Sequence, residues 1–210
     1  PPKRFMRILT PGEVEIVSEG LPGRYQAIPV VAAHTGLRFG ELAGLHKSRI
    51  DFLRGELTVD QAVTEPRGQP PRLKPPKSEH SNRIISIDSD TVETIAAHLA
   101  EHPPHDGMVF TTMKGGYLRR GSFSRIWRKA VDATVGPPLR LHDLRHTHAA
   151  WLIASGAHPK VIQERLGHGS ITVTLDRYGH LIKGLDKEAV ERLSAWKHGT
   201  DTGQKGTGMP

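Results

Sequence analysis

Cysteine is absent from all 210 residues of the chain. Its absence excludes disulfides, thiolate catalysis and cysteine-based zinc sites, and it suits a reducing compartment. Long apolar runs are absent as well: no stretch approaches the roughly 18 residues that a membrane span needs, and residues 1–7 lack the apolar region of a signal peptide. We therefore expect a cytoplasmic protein with no membrane partner.

Positive charge is in excess over negative charge. Lys and Arg total 29 against 22 Asp and Glu, which gives a formal net charge of +7. A basic balance favours a polyanionic partner, nucleic acid first, although a merely soluble basic domain has the same balance. Hydrophobic residues make up 36% of the chain, which is enough for a packed core.

Helix signals dominate the sequence. Thr10-Pro11-Gly12-Glu13 is a typical helix start, and apolar runs end at helix-stopping glycines further on. The predicted helices cover residues from 10, 27–36, 38–45, 89–102, 122–135, 142–155, 159–167, 171–182 and 186–196. Pro29 indicates that the second helix starts near Ala27 or is kinked. Ser89 or Asp90 and then Ser122 are the predicted caps of the fourth and fifth helices.

The middle of the chain has strand patterns instead. Residues 56–63, 83–87 and 108–110 are β-like, and a Pro-, Gly- and basic-rich stretch over 65–82 predicts a long hairpin loop. The fold class is therefore α+β, mostly helical, with a small antiparallel sheet and a hairpin.

Two arginines lie inside otherwise apolar helical patterns. Arg38 stands between Leu37 and Phe39, and Arg145 follows Leu144. A buried guanidinium needs an anionic partner, which an internal carboxylate such as Glu41 or Asp143 could supply. Two such arginines in a basic domain with several histidines fit a phosphate clamp better, because a guanidinium fork matches two phosphate oxygens.

Two histidines and a tyrosine accompany these arginines. His142 is three residues before Arg145, so a helix puts both on one face. His168 lies between two glycines at a loop-to-helix junction, where an anion could meet its ring and nearby backbone N–H groups. Tyr178 follows in a helical segment that Gly179 is expected to break. Each alone is more often a packing residue, and the combination carries the interpretation.

Three segments carry a resemblance to a known family. Residues 35–42 read TGLRFGEL, residues 141–148 read LHDLRHTH, and residues 166–180 contain LGHGS and TLDRYGH. This order resembles the tyrosine recombinases, or phage integrases, the family of lambda integrase and the bacterial chromosome-dimer resolvases. Their pattern has an Arg in T-G-x-R-x-x-E-L, a hairpin Lys, H-x-x-R, L-G-H, and a Tyr in T-x-x-x-Y-x-H. All five elements occur here between about residues 10 and 196.

The resemblance implies a role for each matching residue. Arg38 and Arg145 would clamp the scissile phosphate, and His168 would bond a non-bridging oxygen of that phosphate. Tyr178 would be the nucleophile, and His142 would position or deprotonate it.

A supporting acid and a hairpin lysine complete the implied site. Glu41 would support the phosphate-binding arginines indirectly. Lys77-Ser78-Glu79-His80-Ser81-Asn82-Arg83 matches the family's hairpin pattern, with Ser78 in place of the more usual Thr. The general acid is therefore Lys77, with Lys74 as its rival because two prolines between them loosen the register.

The implied reaction is a DNA strand exchange that needs neither metal nor other cofactor. Tyr178 attacks a phosphodiester to form a 3′-phosphotyrosine, and a 5′-hydroxyl from another strand reverses the step, in the integration or excision of mobile DNA. Candidate DNA-backbone contacts form a basic run, which an ordinary solvated helix face would explain equally well: Arg119, Arg120, Arg125, Arg128 and Lys129.

The resemblance also implies an organisation. We expect one catalytic domain over residues 1–198, without the N-terminal core-DNA-binding domain usual in the family, and a disordered tail over 199–210. The expected partners are double-stranded attachment-site DNA, three further copies of the chain in a tetramer on DNA (a monomer alone), and accessory DNA-bending or directionality proteins. The expected location is the bacterial host cytoplasm and nucleoid. The 186–196 helix could dock on a neighbouring copy or on its own domain.

Three alternatives stay open from the residues alone. His142 and His146 are spaced i, i+4 like the histidines of a zinc hydrolase, but Arg145 between them would repel a cation. A DNA-binding module without catalysis would share the basic surface. A type IB topoisomerase would share the phosphotyrosine chemistry but relax a single duplex.

Overall fold

The computed structural model describes residues 6–75, 82–182, 190–191 and 193–194. Within them the helices are α1 (Pro11–Glu19), α2 (Gly23–Thr35), α3 (Phe39–Ala43), α4 (Ser89–Glu101), α5 (Arg120–Ala133), α6 (Asp143–Ala154), α7 (Pro159–Leu166) and α8 (Ile171–Ile182). The strands are β1 (Ile50–Asp51), β2 (Glu56–Val59), β3 (Ala62–Thr64), β4 (Arg72–Lys74) and β5 (Arg83–Ser86). The predicted class, mostly helical with small antiparallel sheets, is confirmed. No helix of the described part is long and apolar enough to cross a membrane.

The strands form two small antiparallel sheets. One has the order β1-β2-β5, and the other pairs β3 with β4. The single strand predicted over 56–63 is wrong, because the chain changes sheets at residues 60–61. There Asp60 forms an ion pair with Arg49 at 2.8 Å, and Gln61 donates to the carbonyl of Gly44 at 2.8 Å. Strand β4 lies inside the stretch predicted as loop, so residues 72–74 correct that prediction.

The predicted helix ends follow from backbone hydrogen bonding. Thr10 and Glu13 form a reciprocal capping box at the start of α1. Gly36 and Gly167 adopt the left-handed conformation that ends α2 and α7, with φ of 68° and 62°. These two glycines matter because each ends a helix just before a predicted site residue, Arg38 in one case and His168 in the other.

Several local predictions are wrong for identifiable reasons. Helix α2 starts at Gly23 rather than near Ala27, and it continues through the buried Pro29 although proline donates no backbone hydrogen bond. Asp88, rather than Ser89 or Asp90, caps α4 by accepting from the N–H of Thr91 at 2.8 Å. Helix α5 starts before Ser122, at Arg120.

Two further corrections concern apolar or glycine signals. Residues 108–110 do not form a strand: only Met108 forms isolated bridges, and the apolar character of the three residues reflects their burial. Helix α8 does not break at Gly179 but continues to Ile182. The predicted 186–196 helix and the 199–210 tail lie largely outside the described residues, apart from residues 190–191 and 193–194, which are helical.

The buried apolar residues form two clusters. The larger one joins α1 to α5 and the sheets, and it includes Phe123, Trp127 and Ala130 on the predicted face of α5. The smaller one lies among α6, α7 and α8: Ala149, Ile153, Ile162, Leu166 and Tyr178. Packing in the second cluster therefore fixes the position of Tyr178.

We predict that Gly36→Ala lowers the free energy of unfolding by about 2–5 kcal/mol, from left-handed strain and from overpacking. An added Cβ would lie 2.7 Å from Cδ2 of His148 and 2.8 Å from Cδ2 of Leu166. Urea denaturation measures the change. The matched control is Gly121→Ala, where a Cβ meets nothing within 4 Å and where alanine should stabilise the helix by up to about 1 kcal/mol. Equal effects of the two substitutions would contradict this account of Gly36.

Candidate active site

The carboxyl end of α7 gathers three arginines. The consecutive carbonyls of residues 165, 166 and 167 each accept a hydrogen bond from a different side chain. Arg83 donates to the first from Nε at 2.7 Å, Arg145 donates to the second, and Arg38 donates to the third at 2.9 Å. A helix leaves its last carbonyls unpaired and carries partial negative charge at that end, so it stabilises cations there.

Arg145 connects two helix ends. Its Nη1 donates to the carbonyl of Gly36, after α2, at 2.6 Å, and its Nη2 donates to Leu166 at the end of α7. Its exposed fraction is 3%. Burial and the charge of Arg38 together lower the pKa of Arg145 to about 9, although the charge of Glu41 acts in the opposite direction. The guanidinium therefore stays charged at neutral pH.

The internal carboxylate considered from the sequence is present, but it serves Arg38 and not Arg145. Glu41 accepts from Nη1 and from the backbone N–H of Arg38, both at 2.8 Å. Asp143 is the ion-pair partner of Arg140 at 2.7 Å. Among the described residues, no ion pair to a carboxylate is found for Arg145. Within that part of the chain, Arg145 is therefore a buried cation that donates to backbone carbonyls, while the charge of Glu41 acts on it without direct contact.

Glu41 also binds Arg83, the first residue of β5. Nη1 and Nη2 of Arg83 reach the two carboxylate oxygens at 3.2 and 2.9 Å, and both side chains are more than nine-tenths buried. Burial by itself would raise the pKa of Glu41, but the hydrogen bonds and charges of Arg83 and Arg38 lower it to about 2. The carboxylate is therefore ionised at any working pH.

A second connection joins α7 to α2 through His148. The Nε of Arg165 donates to Nε2 of His148 at 2.8 Å, so the His148 proton resides on Nδ1 and is donated to the carbonyl of Ala33 at 2.8 Å. Burial and the charge of Arg165 lower the pKa of His148 to about 3. The histidine is neutral and acts as a fixed spacer between the two helices.

Tyr178 is completely buried on α8. Its hydroxyl forms a 2.7 Å hydrogen bond with Nδ1 of His146, which is itself buried on α6. The ring of His142 packs edge-on against the ring of His146, with centroids 4.9 Å apart. The three side chains thus form a contiguous row from the exposed His142 at the start of α6 to the tyrosine hydroxyl.

His168 follows the left-handed Gly167 as predicted, in the turn between α7 and α8. Its Nδ1 bonds the hydroxyl of Thr174 at 2.9 Å, and its backbone carbonyl accepts from the Gln163 side chain at 3.1 Å. The ring is 8% exposed. Both contacts fix the orientation of the imidazole beside the end of α7.

A cleft of about 440 Å³ opens next to Arg38 and His142. Its rim also carries Arg120 and Arg140, while its apolar lining includes Phe39. The Arg120 guanidinium lies over the Phe39 ring, 5.2 Å from the centroid. Three guanidiniums and an imidazole around an apolar floor make this the cationic entrance to the site.

The structure brings most of the predicted residues together. Arg38, Arg145 and His168 meet at the end of α7, and Glu41 binds Arg38. Lys77 lies outside the described residues, whereas its rival Lys74 is exposed on β4. All five basic candidates at α5 are exposed, and of these Arg120 lines the cleft.

Sequence reasoning missed three contributors. From the sequence, Arg83 is predicted only to be part of the hairpin pattern, and His146 is considered only as a possible zinc ligand. No role is predicted for Arg165. A signal existed for Arg83, because it is a charged residue at the start of a half-buried strand. For His146 and Arg165 the sequence offers no comparable signal, since their partners are more than fifteen residues away.

Comparisons with known proteins agree with this architecture. The model of the phage integrase family matches residues 13–184. The putative prophage phiRv2 integrase of Mycobacterium tuberculosis is 33% identical over 193 residues, covering 90% of this chain and 51% of that protein. The chain spans about half the length of the curated relatives it matches.

Solved structures share the fold. The Tn1549 transposon integrase, in complex with a circular intermediate DNA, superposes with a TM-score of 0.77 at 22% identity, covering 91% of this chain and 67% of that one. The catalytic domain of bacteriophage HP1 integrase gives a TM-score of 0.58 at 20% identity, covering 89% of this chain and 95% of that domain. With the family model matching most of its length, the chain belongs to the phage integrase family.

Proposed function

We propose that the chain is the catalytic domain of a site-specific DNA recombinase that cleaves and rejoins strands through a 3′-phosphotyrosine at Tyr178. The observation that carries the proposal is the charge at the end of α7. Arg38, Arg83 and Arg145 converge there, and Glu41 is the carboxylate that binds two of them. The cluster keeps a surplus of positive charge, which a phosphodiester would neutralise.

Arg38 and Arg145 divide the proposed phosphate contact between them. Arg38 has a side chain 38% exposed at the cleft, so its guanidinium is accessible to DNA. Arg145 lies deeper and is oriented by carbonyls of α2 and α7. In the transition state, charge develops on the equatorial oxygens of the phosphorus, and both guanidiniums with His168 would stabilise it without reorganising.

Tyr178 needs activation, because a phenol has a pKa near 10. The hydrogen bond to Nδ1 of His146 supplies a proton acceptor when that nitrogen is unprotonated, and His142 beyond it can pass the proton to solvent. The nearby Arg145 favours the phenolate. Because the hydroxyl is buried, attack on DNA requires that α8 shift or its cover open when DNA binds.

The proposed reaction balances without a cofactor. The Tyr178 oxygen forms a bond to phosphorus as the bond from phosphorus to the 5′-oxygen breaks, and Lys77 gives that oxygen its proton. A 5′-hydroxyl from another strand then attacks the phosphotyrosine and releases the tyrosine. One phosphodiester replaces another, so no ATP is consumed. Exchange between two duplexes would integrate or excise mobile DNA.

The cleft and the exposed face of α5 supply a path for the DNA backbone. Arg120 and Arg140 at the cleft rim would contact phosphates that flank the scissile one. Further along α5, the remaining exposed basic residues extend the same surface: Arg119, Arg125, Arg128 and Lys129. These contacts carry no sequence information, so we assign them to affinity and orientation rather than to site choice.

Assembly and location are part of the proposal. We expect a tetramer on two duplexes, with accessory proteins that set direction. We expect the reaction to take place in the cytoplasm of the bacterial host, where its double-stranded DNA substrate lies. The alternatives have less support, because the relatives are named integrases and tyrosine recombinases.

We predict that Tyr178→Phe abolishes the covalent complex with DNA, because the nucleophilic oxygen is removed, while DNA binding persists. The substrate is a nicked suicide duplex carrying the attachment sequence next to the gene, and products are resolved on a denaturing gel. Tyr117→Phe is the matched control and should retain the slow, protease-sensitive band. A covalent band of normal intensity with Tyr178→Phe would contradict the assignment.

We predict that Lys77→Ala slows cleavage of ordinary DNA by about 10²- to 10⁴-fold, the usual contribution of a general acid. A duplex with sulfur in place of the leaving 5′-oxygen should be cleaved at nearly the wild-type rate, because a thiolate leaves without a proton. Lys74→Ala tests the rival and should behave like wild type on both substrates. Equal defects of Lys77→Ala on oxygen and sulfur substrates would exclude Lys77 as the acid.

A further inference from the structure

We propose that Arg83 is a positioning residue of the site, which holds Glu41 and the end of α7 in register so that Arg38 and Arg145 meet one phosphate. The inference rests on the function proposed above. Arg83 acts through other residues rather than on DNA, because each of its three guanidinium nitrogens donates to Glu41 or to the carbonyl of Arg165. Its side chain is also only 6% exposed. In this it differs from Arg38, whose side chain is accessible at the cleft.

The Arg83 guanidinium is engaged on two sides. One edge reaches both oxygens of Glu41 in a bidentate pair, and Nε reaches the carbonyl of Arg165 at 2.7 Å. A single planar group therefore sets the spacing between α3, which carries Glu41, and α7, which carries the carbonyls. Lysine has one ammonium and cannot keep both contacts in that geometry.

Arg83 also controls the ionisation of Glu41. The charged groups that act on this carboxylate in the described part of the chain are Arg38, Arg83 and Arg145. Without Arg83, burial would favour the protonated acid, and Arg38 would keep a weakened partner. Loss of the carboxylate charge would release the Nη1 contact that orients Arg38.

Arg83 also lies close in sequence to Lys77, the proposed general acid. It is the first residue of β5 and pairs with Val59 of β2. Lys77 precedes it by six residues. Arg83 therefore fixes β5, which follows the proposed general acid in the chain, directly to the end of α7.

The experiment compares Arg83→Met and Arg83→Lys with a matched control, Arg72→Met, which changes an exposed arginine on β4. The full chain and the suicide duplex described above are used. Both Arg83 variants should form the covalent complex about 100-fold more slowly, the scale of a misplacement near 1 Å, while binding uncleaved DNA with an affinity close to wild type. The control should be unaffected in both assays.

The pH profile separates positioning from simple loss of stability. Wild-type cleavage should show no acid-side loss from Glu41, whose pKa of about 2 keeps it ionised. In Arg83→Met the pKa of Glu41 rises, so cleavage should fall additionally as the pH drops from 8 to 5. Adding Glu41→Gln to Arg83→Met should remove that extra pH dependence, because no carboxyl group is left to titrate.

A readout independent of activity is the Glu41 carboxyl titration followed by ¹³C NMR. An increase in its pKa in Arg83→Met, and not in Arg72→Met, supports the positioning contact even if wild-type protein forms no covalent complex, in which case the proposed function fails alone. Wild-type cleavage rates in both Arg83 variants, or an unchanged Glu41 pKa in Arg83→Met, would overturn the inference. Arg83→Lys retains the charge and serves if Arg83→Met does not fold.

Discussion

The carboxyl end of α7 is the constraint on which the site depends. The backbone carbonyls of residues 165, 166 and 167 have no hydrogen-bond partner within the helix. Each accepts a hydrogen bond from an arginine in a distant part of the chain. The left-handed Gly167 ends the helix there and directs the chain to His168. A helix terminus therefore acts as the template on which separate segments are assembled, because its dipole and its free acceptors both favour cations.

The same arrangement brings like charges close together, so the guanidiniums repel one another. Guanidiniums crowd together in a buried region, and the pKa of Arg145 is lowered to about 9 by burial and by Arg38. Glu41 relieves part of this repulsion by binding Arg38 and Arg83. The remaining charge costs stability in the free protein, and a bound phosphate would remove that cost. Under the proposed function, the stability that this repulsion costs the free protein would be recovered when a phosphodiester binds.

The sequence predicts features that depend on neighbouring residues, but it does not predict contacts between residues far apart in the chain. Caps and stops such as Thr10, Gly36 and Gly167 follow from backbone chemistry, and Arg38, Arg145 and His168, inferred from motif spacing, lie together at the end of α7. The strand split at residues 60–61 depends on side-chain partners elsewhere in the fold. The bond from His146 to Tyr178 joins residues 32 positions apart, so neither periodicity nor composition indicates it. Pro29 shows how tertiary packing can override a local preference.

The most direct test of the central claim asks whether the positive charge of Arg38 acts by stabilising the negative charge of the scissile phosphate. A suicide duplex with a methylphosphonate at the scissile position removes one negative oxygen, and it is compared with ordinary DNA for wild type and Arg38→Ala. We predict a loss of about 100-fold or more for Arg38→Ala on ordinary DNA, and nearly equal rates of the two proteins on the methylphosphonate. The same loss on both substrates would contradict the phosphate clamp.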